Sequence, residues 1–354
     1  DGTLVGYNGT DPDVIVPEKV NGQTITAINL FAFRSNQNIN SIILPDSITD
    51  IGEESFAWCT NLKKVVLPKN LTQINVGLFR KCTSLETIEL PKTVTFIDAE
   101  AFEGCSSLKE ITIPDGVEEI YDDTFDNCTA LTKINLPASV TAIASGAFGS
   151  CTSLESINLD NISSIGKFAF YNCTGLTELT LGENPVDISR KAFSGCSNIT
   201  KVTVKNSETS LDSTGLAELE NLSIYGHINS VAQLFADKND IPFYDLKTGE
   251  RIINEWVVDN EGVVWGYKGN ETDIVIPREV NGIANKIGEN AFANSKITSV
   301  EMEDNIQSVD DDAFIDCESL RSVKLSKSME SLPGCFSGCG SLEYISIPSN
   351  IKSI

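Results

Sequence analysis

The sequence predicts a β-rich solenoid, in which turns of about 23 residues stack side by side. Two observations predict it. Cysteine recurs at residues 59, 82, 105, 128, 151, 173 and 196, with spacings of 23 or 22 residues. Phenylalanine keeps the same period at residues 33, 56, 79, 102, 125, 148, 170 and 193. A fixed period of this length is typical of solenoid proteins, whose units stack on one another.

The residue pattern of each repeat predicts one short strand, followed by a segment that returns the chain through the core. In the unit that begins at Cys105, Ile111 and Ile113 alternate with polar residues, which is the pattern of a strand with one buried face. Pro114 ends this strand because it has no N–H group to donate. Burying roughly seven apolar side chains, at about 1.5–3 kcal/mol each, does not offset a backbone entropy cost of about 1–2 kcal/mol per ordered residue. The turns must therefore stack, with their strands in a parallel ladder.

The recurring pattern C-x-x-L-x-x-I-x-[IL]-P-x-x-V-x-x-I-x-x-x-A-F resembles the BspA-like class of bacterial leucine-rich repeats. It covers eight units from Ile28 to about Lys205 and returns from Ile287 to Ile354. The resemblance implies a leucine-rich-repeat solenoid that is right-handed and curved. It also implies a secreted or cell-surface bacterial protein associated with adhesion to host matrix or to other cells.

A longer duplication, with an offset of 260 residues, predicts two tandem arrays. Each copy precedes the first repeat of an array, so we interpret it as an amino-terminal cap that shields the open end of the solenoid. Between the arrays, Ser230 followed by apolar residues at helical spacing predicts a short helix. The duplicated blocks are Leu4–Gly9, Asp13–Pro17 and Val20–Gly22 in the first copy, and Val264–Gly269, Asp273–Pro277 and Val280–Gly282 in the second.

The predicted organisation has five parts. They are an amino-terminal cap over 1–24, a first array of eight repeats over 25–205, a closing segment with a short helix and a linker hairpin over 206–258, a second cap over 259–286, and a second array over 287–354 that stops within a repeat. We also expect the chain to be a fragment of a larger protein at both ends. At the amino-terminal end, the first cap lacks a counterpart of the strand that precedes the second cap. At the carboxyl-terminal end, the sequence stops at Ile354, before the Phe position of its repeat.

The composition excludes several classes of partner. Lys and Arg number 26 and Asp and Glu number 50, so the formal net charge is −24. Nucleic acids and anionic membrane surfaces require clustered basic residues, so neither is an expected partner. No apolar run approaches the length of a membrane span, so we expect no membrane insertion. The single histidine, His227, lies near no nucleophile motif, and we expect it to be structural or solvated.

The ten cysteines have two interpretations. Disulfides are common in secreted proteins, and turns stacked about 4.8 Å apart would be close enough to form them. Equivalent side chains in a stack point the same way, however, and seven equivalent cysteines cannot all pair. We therefore predict buried free thiols that act as small apolar core residues. No thiolate nucleophile, zinc site or other cofactor is predicted.

Two acidic runs, over 115–126 and 301–318, contain no basic residue. Clustered carboxylates suit calcium, but the sequence has no calcium-loop motif. We interpret the runs as solvated faces that keep an extended surface soluble, and whether they bind calcium stays open.

The outward positions of the strand ladder form the candidate ligand face. Trp58 and Tyr171 are added to it because exposed aromatic residues often dominate binding energy, although each could simply cover a turn. The candidate strand residues are Ile43, Val66, Glu89, Thr112, Asn135, Asn158, Thr180 and Thr203 in mid-strand, with Lys64 and Lys133 from the preceding outward position.

Three functions fit these observations. The first is a non-enzymatic, monomeric, secreted or surface protein that binds a protein or glycan, with host matrix among the candidates, through its solenoid face. The second is a passive stalk or spacer of a larger surface protein. The third is a carbohydrate-active enzyme, which would require two carboxylates about 5–10 Å apart in a cleft.

Overall fold

The chain folds into stacked turns with short parallel strands. The structure is a computed structural model, which describes residues 2–279 and 284–353. The residues divide into two units, Asp1–Tyr225 and Gly226–Ile354. The prediction of a β-solenoid with turns of about 23 residues is confirmed. Val280–Gly282 of the second predicted cap lies outside the described residues, as do Asp1 and Ile354.

Most turns of the first unit give one strand to a parallel ladder, which we name the front ladder. Its register pairs equivalent residues of neighbouring turns, such as Ser41 with Lys64 and Glu110 with Lys133. Residues 87–89 and 156–159 join it only through the isolated bridges Thr87–Glu110, Lys133–Ser156 and Leu159–Leu181. The strands of the front ladder are Asp13–Ile15, Ser41–Ile43, Lys64–Val66, Glu110–Thr112, Lys133–Asn135, Glu178–Leu181, Lys201–Val204 and Ser223–Gly226.

A second set of parallel strands, the back ladder, comes from the return segment of each turn. The predicted amino-terminal cap supplies the first strand of both ladders, because Thr3–Leu4 pairs with Ala27–Ile28 and Asp13–Ile15 pairs with Ser41–Ile43. The strands of the back ladder are Thr3–Leu4, Ala27–Ile28, Asp50–Ile51, Gln73–Ile74, Phe96–Ile97, Glu119–Ile120, Ala142–Ile143, Ser164–Ile165 and Asp187–Ile188. A cap hairpin joins Lys19–Val20 to Gln23–Thr24, and a 3-10 helix covers Leu216–Glu218.

Phenylalanine rings stack through the core of the first unit. Phe102 and Phe125 lie 5.4 Å apart between ring centroids, with the planes only 1° apart, and Phe125 and Phe148 lie 5.5 Å apart. Ile111, Ile113 and the periodic cysteines also lie in the core, as the repeat pattern predicts. We name these cysteines, at residues 59, 82, 105, 128, 151, 173 and 196, the rung cysteines. Each turn therefore buries its apolar side chains against its neighbours.

The second unit begins with the helix Val231–Lys238. The prediction of Ser230 as its N-cap is confirmed, because the Gln233 amide donates to Ser230 Oγ at 3.2 Å. Short antiparallel strands follow at Phe243–Asp245 and Arg251–Ile252. The predicted hairpin pairs Trp256–Val258 with Val263–Tyr267, so the proposed boundary between 258 and 259 falls in its turn.

The rest of the second unit repeats the solenoid pattern. Phe292 and Phe314 stack at 4.8 Å, and Phe314 and Phe336 stack at 5.3 Å. One parallel ladder contains Asp273–Ile276, Ser299–Met302, Ser322–Lys324 and Tyr344–Ser346. The other contains Val263–Tyr267, Lys286–Ile287 and Ser308–Val309.

Candidate ligand-binding face

Three β-branched side chains form an exposed row on the front ladder, which we name the apolar row. Ile15, Ile43 and Val66 are aligned in register across three neighbouring strands. They are 71%, 42% and 39% exposed. Side chains of a strand alternate between its two faces, so burying Ile42 and Val65 places Ile43 and Val66 outside.

The core does not require apolar residues in this row. Later turns have Thr112, Asn135 and Thr180 at the same outward position and still fold into the ladder. Ile15 was missed by the sequence analysis because its segment was assigned to the cap. The signal was present in Asp13–Pro17, which has the same alternation and strand-ending proline as the repeats.

The second unit does not repeat the apolar row. Val275 lies at the position equivalent to Ile15, given the offset of 260 residues, and is 50% exposed. The residues aligned with it on the next two strands are Glu301 and Lys324, which form an ion pair. The apolar row therefore distinguishes the first unit from the second.

A groove of about 720 Å³ lies beside the apolar row, between residues 64–69 and 87–93. Lys64, Lys69 and Lys92 line it together with Glu89, and we name it the lysine groove. Its position brings together four of the predicted face residues, since Ile43 is paired in register with Val66 at its edge. These four are Ile43, Val66, Glu89 and Lys64.

The remaining strand residues of the predicted face lie further along the front ladder. Asn135 Nδ2 donates to Thr112 Oγ1 at 3.2 Å, and Thr180 is aligned with Thr203. Lys133 is exposed and paired in the ladder with Glu110. Asn158 Oδ1 accepts from the Asp160 amide at 2.9 Å, so this side chain closes a local turn. The role of all these residues in binding stays a prediction.

Trp58 lies on a different segment of its turn, directly before the rung cysteine. Its backbone has a φ of 63°, in the left-handed region that bulky residues rarely adopt. The equivalent positions of the next turns are Lys81, Gly104 and Asn127. The side chain is 42% exposed, so the fold gains little from a tryptophan here.

Tyr171 lies on the same segment as Trp58, several turns further along. Its ring packs edge-on against Phe168, with 5.6 Å between centroids, and is 47% exposed. A shallow opening of about 550 Å³ beside the pair is also lined by Asp123 and Asp126. The twelve predicted residues therefore do not form one site, because neither aromatic residue lies on the front ladder.

The carboxylates of that opening have perturbed acidities. Burial raises the pKa of Asp123 above its usual range, and the carboxylates of Asp126 and Asp122 raise it further. Burial likewise raises the pKa of Asp126, although hydrogen bonding from Asn127 opposes the shift. Within the described ranges, no three His, Cys, Asp or Glu side chains converge as metal ligands.

The rung cysteines are buried, as predicted, and their thiols also donate hydrogen bonds to the backbone. The thiol of Cys105 donates to the carbonyl oxygen of Phe79 at 3.1 Å, and that of Cys128 donates to Phe102 at 3.2 Å. Burial raises the pKa of the Cys59 thiol to about 11 and that of Cys105 to about 12. Such thiols remain protonated at neutral pH and cannot serve as nucleophiles.

Comparisons with solved structures find bacterial proteins, among them leucine-rich repeat proteins. A leucine-rich cell surface protein from Faecalibacterium prausnitzii is 24% identical, with 99% of this chain and 86% of that chain covered and a TM-score of 0.46. A leucine-rich repeat protein from Bacteroides ovatus is 22% identical, with 100% and 85% covered and a TM-score of 0.48. The pneumococcal vaccine antigen PcpA is 18% identical, with 99% and 86% covered and a TM-score of 0.45. Likenesses at this level concern the fold alone.

No curated protein matches the chain in sequence. In the described part of the chain, no helix is long and apolar enough to cross a lipid bilayer. The sequence model of the BspA-type leucine-rich repeat region matches residues 26–155, 118–241 and 268–354, in six copies. These matches cover well over half of the chain, and the family consists of repeat proteins rather than enzymes. The chain belongs to the family of BspA-type leucine-rich repeat proteins.

Proposed function

We propose that this chain is the binding part of a non-enzymatic, secreted or surface-exposed bacterial protein and that its first unit holds a protein ligand on the front ladder. The observation that carries the proposal is the apolar row, Ile15, Ile43 and Val66, which is exposed although the fold does not need it. Membership of the BspA-type family supports the bacterial surface location.

The surroundings of the apolar row suit a protein interface. Such interfaces have an apolar centre and a polar rim, and they cover about 800 Å² on each partner. Here Thr112 and Asn135 extend the face on the same ladder, and Glu89 and Lys64 lie beside the row. A row of aliphatic side chains offers close packing to a protein surface, whereas it offers few hydrogen bonds to the hydroxyl groups of a glycan.

The proposal is tested by binding of the purified chain to a panel of immobilised matrix proteins, with a glycan panel in parallel. For the protein that binds, Ile43→Ser and Ile15→Ser should each weaken binding roughly tenfold, or about 1.4 kcal/mol. Val275→Ser is the matched control, because it removes an equally exposed aliphatic side chain from the second unit and should leave the affinity unchanged.

Three results would contradict the proposal. Binding that is weakened equally by Val275→Ser and Ile43→Ser would show that the apolar row has no special role. The absence of binding to any protein or glycan would favour a passive stalk. Binding to glycans alone would favour a glycan receptor.

A further inference from the structure

We infer that the lysine groove binds an extended acidic segment of the protein ligand, a strand in which carboxylates alternate with apolar side chains. This inference rests on the proposed function and names the part of the ligand that the first unit recognises. The backbone, the floor and the charge of the groove all favour such a segment, independently of the apolar row.

The backbone of the front ladder is interrupted at the groove. At the preceding interface, the Lys63 amide donates to Asn40 O at 2.8 Å and the Leu44 amide donates to Val66 O at 3.0 Å. One turn later the equivalent amides belong to Glu86 and Leu67, and neither has a backbone acceptor among the residues that the structure describes. Unpaired strand edges of this kind form hydrogen bonds with a further extended chain.

The interruption is confined to the front of the two turns. On the segment that carries the phenylalanines, the Trp58 amide donates to Arg80 O at 2.6 Å. The rings of Phe56 and Phe79 stack with 5.7 Å between centroids. The same two turns therefore stay joined through the core, and an extended segment would reach the Leu67 and Glu86 amides from the open front of the groove.

The floor of the groove is apolar and partly open to solvent. Val65, Leu67, Ile88 and Leu90 are 6–8% exposed, whereas Ile111, further along the ladder, is 2% exposed. Water therefore reaches the edge of the core at this point. An apolar side chain of the ligand that covered this floor would gain about 25 cal/mol for each Å² removed from water.

The charge of the groove is opposite to that of the chain. Three lysines and one glutamate line the groove, in a chain of net charge −24. In the described part of the chain, Lys64 and Lys92 form no ion pair, whereas Lys69 pairs with Asp46 at 3.1 Å. Lysines at an open strand edge discourage pairing with neutral or basic strands, so an acidic strand is the partner that this edge admits.

The test uses blocked octapeptides as probes and isothermal titration calorimetry with the full chain. A peptide of alternating Glu and Val should bind, more weakly at higher salt, and one of alternating Lys and Val should not. A third peptide, with four Glu followed by four Val, has the same composition without the alternation and should bind less tightly. Hydrogen exchange of the Leu67 and Glu86 amides should slow when the first peptide is bound.

Charge reversal at the groove provides the matched variants. Lys64→Glu and Lys92→Glu should each weaken binding of the alternating Glu–Val peptide roughly fivefold to tenfold, or about 1–1.4 kcal/mol. Lys296→Glu makes the same charge change at an exposed lysine of the second unit and should leave the affinity unchanged. All three lysines are exposed, so the variants should fold normally.

Several outcomes would overturn the inference. They are no binding of the alternating Glu–Val peptide at millimolar concentration, equal weakening by Lys296→Glu, or equal binding of the Lys–Val peptide. Self-association of the chain that Lys64→Glu abolishes would identify a second copy as the occupant instead. A protein ligand that depends on Ile15 and Ile43 but not on Lys64 or Lys92 would overturn the groove and leave the proposed function intact.

Discussion

The thiol of Cys105 donates a hydrogen bond to the carbonyl oxygen of Phe79, 26 residues earlier in the chain, at 3.1 Å. The same carbonyl also accepts the amide of Cys82 at 3.0 Å, so two successive turns bind it. The relationship recurs along both units. The pairs are Cys59–Phe33, Cys82–Phe56, Cys105–Phe79, Cys128–Phe102, Cys151–Phe125, Cys173–Phe148, Cys196–Phe170, Cys317–Phe292 and Cys339–Phe314.

We expect Cys105→Ala to lower the free energy of unfolding by about 1–2 kcal/mol, because it removes buried volume and leaves one hydrogen-bonding position of the Phe79 carbonyl empty. Cys335→Ala is the control. Cys335 is equally buried but occupies the position where Ala101 and Ala147 lie in other repeats. Its loss should cost less than about 1 kcal/mol. Urea unfolding of both variants measures the difference, and equal costs would show that the thiol hydrogen bond adds no stability.

Thiol titration tests the state of the cysteines. With Ellman's reagent, the denatured and never-reduced protein should show nearly all ten thiols free. In the native protein at pH 8, Cys339 should react first, because it is the partly exposed member of the set, whereas burial raises the pKa of Cys105 to about 12. Fewer than half of the thiols free after denaturation would mean that disulfides link the turns.

Phe125→Ala should destabilise the first unit by about 3–5 kcal/mol, the usual cost of deleting a buried ring. The ring is fully buried and stacks on Phe102 and Phe148. Since each turn is stabilised by its neighbours, the loss should uncouple the flanking turns and give thermal unfolding in more than one step. A change below about 1 kcal/mol would show that the phenylalanine stack contributes little.

Asp123→Asn should stabilise the protein at neutral pH. The pKa of Asp123 is raised by burial and by neighbouring carboxylates, so its protonated form favours the folded state. That contribution is fully present below the unfolded pKa of about 3.9 and is lost as the pH rises through the folded pKa. The stability gained in Asp123→Asn should therefore grow from pH 3 to pH 7. It should stay below about 1 kcal/mol because the carboxylate is only partly buried and its charge is screened by solvent.

Asn also tolerates the left-handed backbone at position 123, where φ is 53°. This backbone effect does not depend on pH, so chemical unfolding at pH 3 and pH 7 separates it from the charge effect. An advantage of the variant that is the same at both pH values would mean that the Asp123 charge does not oppose folding.

The repeat period was enough to predict the fold, since the positions of Ile111, Pro114, Phe125 and Cys128 together specify one turn and its stacking. It could not predict the interruption of the front ladder. Lys64–Leu67 and Thr87–Leu90 fit the repeat pattern as well as paired segments do, because pairing depends on how two turns are placed relative to each other. The thiol hydrogen bonds could not be predicted for a related reason, since the pattern gives positions within a turn but not which atoms meet between turns.

The most direct test of ligand binding on the front ladder is hydrogen exchange, measured on the chain alone and on the chain bound to the matrix protein that it binds. Binding on the front ladder of the first unit should slow exchange in Asp13–Ile15, Ser41–Ile43 and Lys64–Val66. Exchange in Asp273–Ile276, the equivalent strand of the second unit, should not change. Protection confined to the second unit or to the back ladder, with none on these three strands, would contradict the account.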